Sequence, residues 1–411
     1  MTTRRRPRIG LALAGGGPLG AVYELGVLSA LAESLQGIDL NELDVYVGVS
    51  AGGFIAAGLA NGVSARKLTA MFVESETADE PLSPSILMKP ALREYARRAS
   101  SIPPLLLNSV WHYVSNPMSA NFFESFQRLS RAIPTGVFDN ASIEHFLTRL
   151  FTAPGRTNDF RELRHKLFLV ATNLDTGESV AFGTPGHDDI PISAAVRASA
   201  ALPGLFPPVE IGDSYFVDGA LKKTLHASVA LDHGAELLLC INPLVPFDSQ
   251  LAASRGAPRR RKLVEDGLPV VLAQTFRALI HSRMQAGMSK YEKQYPGADV
   301  VLFEPNSDDA DMFFTNMFSY SSRRRLSEHA YQKTRQELLR RYDELQPILA
   351  RHGVSIRLDV LRDRDRQLLG VSRRHRRAPM QVMDATRSLE ATLDQLEACL
   401  SLRRGPKKQA A

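Results

Sequence analysis

The stretch from Ile9 to Leu31, "IGLALAGGGPLGAVYELGVLSAL", constrains the fold more than any other part of the chain. Its first six residues, Ile9 to Ala14, are all glycine, alanine, leucine or isoleucine, the composition of a short buried strand. They run straight into Gly15, Gly16 and Gly17, and from about Leu19 to Leu35 the pattern is helical. "VYVGV", Val45 to Val49, reads as a second strand, and Ser50 to Ala60 as a second helix ended by Asn61 and Gly62. This β-α-β-α order predicts a parallel sheet with helices on its faces.

The glycine loop fits G-x-G-x-x-G through Gly15, Gly17 and Gly20, the pattern of a dinucleotide fingerprint. Such a site needs an acidic residue at the end of the second strand to hold the ribose. Here that strand ends at Ser50, and Asp44 lies at its beginning, so the dinucleotide reading fails. The alternative is that amides of Gly15 to Gly20 face an oxyanion, where each donor is worth roughly 3 kcal/mol of barrier. Pro18 has no N–H to give, which leaves Gly16, Gly17 and Leu19 as the better donors, with Gly15 and Gly20 completing the loop.

"GVSAG", Gly48 to Gly52, joins the second strand to the second helix with Ser50 at the turn. G-x-S-x-G in that context is a nucleophile elbow: Gly48 and Gly52 leave room for a sharp turn, and Val49 and Ala51 flank the serine. The turn sets the serine oxygen at a helix N-terminus, where free N–H groups and the helix dipole favour negative charge. The competing reading of Ser50 is a helix cap. A hydroxyl needs a base, and "YFVDGALKKTLH" supplies Asp218 at the end of an apolar strand, followed by Gly219 and Ala220. Taken alone, Asp218 reads better as a turn aspartate before glycine. Convergence with Ser50 is expected if both residues end strands at the carboxyl edge of a parallel sheet. His226 and His233 follow Asp218 in the order of a Ser-Asp-His triad, but His226 is only eight residues on, at the start of a helix, where a hydrolase histidine is not expected.

Together these residues resemble the patatin-like phospholipase family. The matching pieces are "GGGPLG" (Gly15 to Gly20), "GVSAG" (Gly48 to Gly52), "ASAALPGLFPPV" (Ala198 to Val209) and "DGA" (Asp218 to Ala220), in the family's order and spacing over about residues 9 to 245. The resemblance implies an α/β, three-layer fold with a mainly parallel central sheet flanked by helices. It implies Ser50 as nucleophile and Asp218 as general base of a Ser-Asp dyad, Gly15 to Gly20 as the oxyanion hole, and hydrolysis of an acyl ester in a lipid or phospholipid. No metal or organic cofactor is implied. The family usually has Arg or Lys where this chain has Leu19, which removes a cation from the loop but no backbone donor. The alternative reading is a catalytically silent lipid-binding or scaffold protein that keeps the fold.

The remainder divides as follows. Residues 1 to 8 form a basic lead, and "MTTRRRPRIGLALAGG" imitates a signal peptide, but the apolar run of six is too short for one. A cytoplasmic protein, with contact at the inner membrane surface, is expected over an exported one. Residues 9 to 245 form the acyl hydrolase region, with a helical cap inserted at about 81 to 134. That insertion carries Leu105, Leu106, Leu107, Val110, Trp111 and Tyr113 beside Arg93, Arg97 and Arg98, a pattern that suits either a packed cap or an interfacial element. Residues 246 to 321 complete the core, 322 to 402 form an arginine-rich, mostly helical extension, and 403 to 411 a disordered tail. At 44% hydrophobic and 23% charged the chain is of ordinary globular composition. The net charge of +6 gathers in basic runs of the second half, including "PRRRK" at Pro258 to Lys262. Those runs lack interleaved aromatics, so nucleic acid is not expected as a partner. Two distant cysteines, Cys240 and Cys399, fit neither a metal site nor a disulfide framework. The acids of "NSDDADMF", Asn306 to Phe313, lack the full calcium-loop pattern and read as a solvated loop. The oligomeric state is not legible.

Overall fold

A computed structural model of the protein describes residues 6–74, 89–92, 94–95, 134–256, 262–314 and 320–368. The apolar segment Leu105 to Tyr113, the helical pattern at 385–402 and the tail from 403 lie outside the described residues. The chain forms two compact units. One comprises Met1–Pro84, Glu144–Ala200 and Val209–Ser372, the other Ser85–Ile143, Ala201–Pro208 and Arg373–Ala411. In the second, the described residues pair Pro90 with Phe138 and Gly136 with Gly204, and the Tyr95 hydroxyl donates to the Val137 carbonyl at 2.6 Å.

The first unit is built on a mixed eight-stranded sheet. Its strands are β1 (Ile9–Leu13), β3 (Val45–Gly48), β4 (Lys166–Asn173), β5 (Ser179–Phe182), β6 (Val209–Ile211), β7 (Ser214–Asp218), β8 (Leu237–Ile241) and β9 (Asp299–Phe303). The order β6-β7-β4-β3-β1-β8-β9 holds a parallel centre, β4-β3-β1-β8-β9, and β5 and β7 join β4 antiparallel. A short pair, β2 (Leu35–Gln36) with β10 (Ser355–Ile356), stands apart. β1 and β8 are buried at every residue, which is why they read as unbroken apolar runs: a parallel sheet covered on both faces leaves no side of a strand in water.

Alternation along the strands sorts the core into two layers. Ala12, Val45, Val47, Phe168, Val170, Leu238 and Cys240 face one way, packed on Ala227, Ala230 and Leu231 of helix Ala227–Asp232 and on Ile280 and Met284 of helix Leu268–Gln294. Burial pushes the Cys240 thiol up to about 12, so it behaves as a small hydrophobe. The other face is covered by α1 (Gly17–Ser34) and α2 (Ser50–Ala60). α1 is buried from Gly20 to Leu31 because α6 (Tyr320–Arg340) packs over it in turn; between α2 and α6 the chain also forms α3 (Ile192–Ser199), α4 (Ala227–Asp232) and α5 (Leu268–Gln294). The close approach sits at Gly26, where a Cβ would stand 2.5 Å from the Ser327 carbonyl oxygen and 2.8 Å from Ala330 Cβ. Among the described residues, no helix is long and apolar enough to cross a membrane.

Candidate active site

β1 and β3 are parallel neighbours paired Leu13 to Gly48, so the loops that leave them emerge side by side at one edge of the sheet. The Val49 N–H donates to the Leu13 carbonyl at 3.1 Å, and the chain then turns through Ser50 into α2. Ser50 has φ of 53°, left-handed backbone that a residue with a Cβ avoids, at a cost on the order of 1–3 kcal/mol. Two contacts hold it there. The Ser50 N–H donates to Ser199 Oγ at 2.8 Å, and Ser199 Oγ donates to the Val170 carbonyl at 2.6 Å, which ties the turn to α3 and β4. At Gly52 a Cβ would lie 2.4 Å from the Ala14 carbonyl oxygen, so α2 can start against β1 only with glycine there. Gly48 closes the turn from the strand side against Gly53.

Asp218 reaches the same place by a route that differs from the expectation. It ends β7, but β7 runs antiparallel to β4, so its carboxyl end is not at the carboxyl edge of a parallel set. The register explains the meeting. Gly48 pairs with Leu169, and Asp218 pairs with Ala171, two residues further along β4. Ser50 is likewise two residues beyond Gly48, so the long β4 carries both groups to one height. The Ser50 hydroxyl lies close enough to the Asp218 carboxylate to favour its charged form, and Asp218 Oδ1 accepts from the Ala220 N–H at 2.8 Å. Gly219 lies in the turn between them, against the Val170 carbonyl. Burial pushes the Asp218 carboxyl up to about 6, against the lowering effect of the Ala220 and Ser50 donors. Ser50 and Asp218 are 7% and 4% exposed, so the pair meets in a nearly dry site that still opens to solvent at the serine.

The glycine loop borders this pair. A Cβ on Gly15 would stand 3.1 Å from Ser50 Cβ and 3.2 Å from Ala220 Cβ, so Gly15 packs directly between the segments that carry Ser50 and Asp218. α1 begins at Gly17, two residues before the sequence pattern suggested, with Pro18 in its first turn where a missing N–H costs nothing. That early start corrects one expectation: the Gly20 N–H donates to the Gly16 carbonyl at 3.0 Å and is therefore not an oxyanion donor. The amides of Gly15, Gly16, Gly17 and Leu19 have no acceptor among the described residues, and neither do those of Ala51 and Gly52 at the start of α2. Two helix N-termini thus bring free donors and positive dipole ends to one serine.

Neither histidine bonds the Ser50 hydroxyl or the Asp218 carboxylate; both turn to backbone carbonyls. His226, at φ 46°, precedes α4 with Nε2 3.2 Å from the Gly219 carbonyl oxygen, and burial lowers its pKa to about 4. His233 Nδ1 lies 2.8 Å from the Val229 carbonyl oxygen, and its ring packs on Phe168 at 4.2 Å. Asp44, excluded as a ribose ligand, accepts from the Ile9 N–H at 2.9 Å and anchors the start of β1. In the acidic loop, Asp309 pairs with His329 Nε2 at 2.6 Å and is half-buried rather than freely solvated. Ser199 is the residue that sequence reasoning missed: its place in "ASAALPG" marked a motif, but nothing local shows that it grips a turn 149 residues away.

A family model described as patatin-like phospholipase matches residues 11–231. A cGAMP-activated phospholipase of Escherichia coli is 27% identical over 233 residues, 53% of each chain. An uncharacterised NTE family protein of Mycobacterium tuberculosis is 26% identical over 234 residues, 57% of this chain and 30% of that one. The chain spans about half the length, or less, of the curated relatives it matches. Among solved structures, VipD from Legionella pneumophila aligns at a TM-score of 0.38 and 15% identity, covering 81% of this chain and 66% of that one.

Proposed function

The chain belongs to the patatin-like phospholipase family, and from that premise we propose that it is a serine acyl hydrolase acting on lipid esters through Ser50 and Asp218. The observation that carries the reading is a strained serine in the first turn of α2, close to a buried carboxylate whose charge it favours and beside unengaged amides.

The chemistry follows from the atoms present. Above pH 6 Asp218 is ionised and accepts the Ser50 proton as Oγ attacks the ester carbonyl. A carboxylate raised toward neutrality is a better base than an ordinary aspartate, and it holds the proton long enough to return it to the leaving alcohol. The developing oxyanion is received by the amides of Gly16, Gly17 and Leu19, which need no reorganisation because the start of α1 already fixes them. The resulting acyl-serine is then cleaved by water, with Asp218 taking the water's proton. His226 and His233 have no part in this scheme.

The test is labelling of the purified protein with a fluorophosphonate. Expected is a covalent adduct at Ser50, absent in Ser50→Ala, together with loss of ester hydrolysis in Ser50→Ala and Asp218→Asn. A protein that neither labels nor hydrolyses any lipid ester is the silent scaffold instead.

A further inference from the structure

Helix α5 carries on its outer side what a helix in water does not need. Leu268, Leu272, Phe276 and Leu279 are 69%, 44%, 38% and 54% exposed, and their spacing of 4, 4 and 3 places them in one stripe. Val264 and Val271 widen it. The helix is not free to roll this stripe inward. Ile280 and Met284 are sunk in the core, Gln274 bonds both the N–H and the carbonyl of Phe247, and the Ile280 carbonyl accepts from the Thr224 hydroxyl.

Position and charge select the occupant. α5 connects β8 to its parallel neighbour β9, so its first half lies toward the carboxyl edge of the sheet, the edge where Ser50 sits. Its middle is tied to the segment that follows Asp218: Arg283 Nη1 donates to the Leu221 carbonyl at 2.8 Å. From Ile280 back to Leu268 the helix extends about 18 Å further along that direction. The cations cluster here too. Lys222, Lys223, Lys262 and Arg283 are exposed here, against the exposed acids Glu265 and Asp266. An apolar stripe with basic flanks, on the rim that holds the nucleophile, matches a membrane interface with anionic headgroups.

We propose that the exposed face of α5 docks the protein on anionic phospholipid bilayers and so presents the Ser50 edge to lipid. The choice of occupant rests on the lipid-hydrolase reading above. The apolar residues between 105 and 113 are not needed for it.

The test is co-sedimentation of the full chain, carrying Ser50→Ala so that lipid is not consumed, with vesicles of phosphatidylcholine alone or with a quarter phosphatidylglycerol. The parent is expected to bind the anionic vesicles more tightly. Leu268→Glu, Leu272→Glu and Leu279→Glu together should weaken that binding about tenfold or more, and the three Leu→Gln changes by a smaller factor, since apolar contact and charge both contribute. Glutamate and glutamine are good helix formers at exposed positions, and circular dichroism checks that both variants fold. With Ser50 restored, the Gln variant should lose hydrolysis of vesicle lipid while turnover of a water-soluble short-chain ester stays within about twofold. Unchanged sedimentation of the Glu and Gln variants overturns the proposal. So does a parent dimer that the Glu variant converts to monomer by light scattering with vesicle binding intact, because the face would then join two copies. Failure of wild type to hydrolyse the soluble ester, with stripe-dependent sedimentation preserved, refutes the hydrolase reading and leaves the docking face standing.

Discussion

Asp218→Asn should make the protein more stable while removing its activity, and the gain should depend on pH in a defined direction. Burial raises the Asp218 carboxyl from 3.8 to about 6, which means that the folded state resists its ionisation. Relative to the unfolded chain, that resistance is absent below pH 3.8, where both states are protonated, and grows as pH rises to about 6. Above that it is constant and amounts to about 3 kcal/mol of lost stability, at about 1.4 kcal/mol per pH unit. Asparagine keeps an oxygen for the Ala220 N–H and carries no charge. The variant should therefore exceed wild type by up to about 3 kcal/mol at pH 8 and by about half as much at pH 5. Urea denaturation of both proteins at the two pH values measures this, and the wild-type acid limb of kcat/KM should fall with an apparent pKa of about 6. A variant no more stable than wild type at pH 8, or a gap that widens toward acid, would refute the reasoning.

Three further substitutions probe the surrounding parts. Gly15→Ala puts a methyl 3.1 Å from Ser50 Cβ and should lower kcat by about tenfold or more with little change in unfolding free energy, since a small misplacement at the nucleophile is costly. Ser199→Ala leaves the Ser50 N–H and the Val170 carbonyl without their shared partner; it should cost about 1–3 kcal/mol in denaturant unfolding and slow fluorophosphonate labelling. His226→Asn and His233→Ala should keep most of their ester turnover, and near-complete loss in either would return the triad to consideration.

How much of this was legible in the chain varies with the range of the interactions. The elbow was readable from Val45 to Ala60 because its determinants are adjacent: an apolar run, glycines at 48 and 52, and small residues in α2. The hairpins at 166–182 and 209–218 were equally local. The meeting of Ser50 with Asp218 was anticipated, but its cause was not, since the antiparallel direction of β7 and the extra length of β4 are properties of pairing between distant segments. Gly20 was misread for a local reason: the helix starts at Gly17, and a shift of two residues draws its amide into the helical ladder. Ser199 was invisible because a small hydroxyl in a helix carries no periodic signal. The outer stripe of α5 was hidden by its own apolarity, which in sequence looks like core.

The position of β1 sets a lower bound on what can be cut away. The family match ends at 231, yet β1 has β8 on its far side, β9 beyond that, and α6 lying over α1 at Gly26. A fragment trimmed to the matching region would keep Ser50, Asp218 and the glycine loop. It would also turn the central strand of the sheet into a raw hydrophobic border, primed for aggregation, and strip the cover from α1, the helix that the glycine loop leads into. The candidate site residues lie within the matching region, but the scaffold that keeps them in place is completed by the chain beyond it.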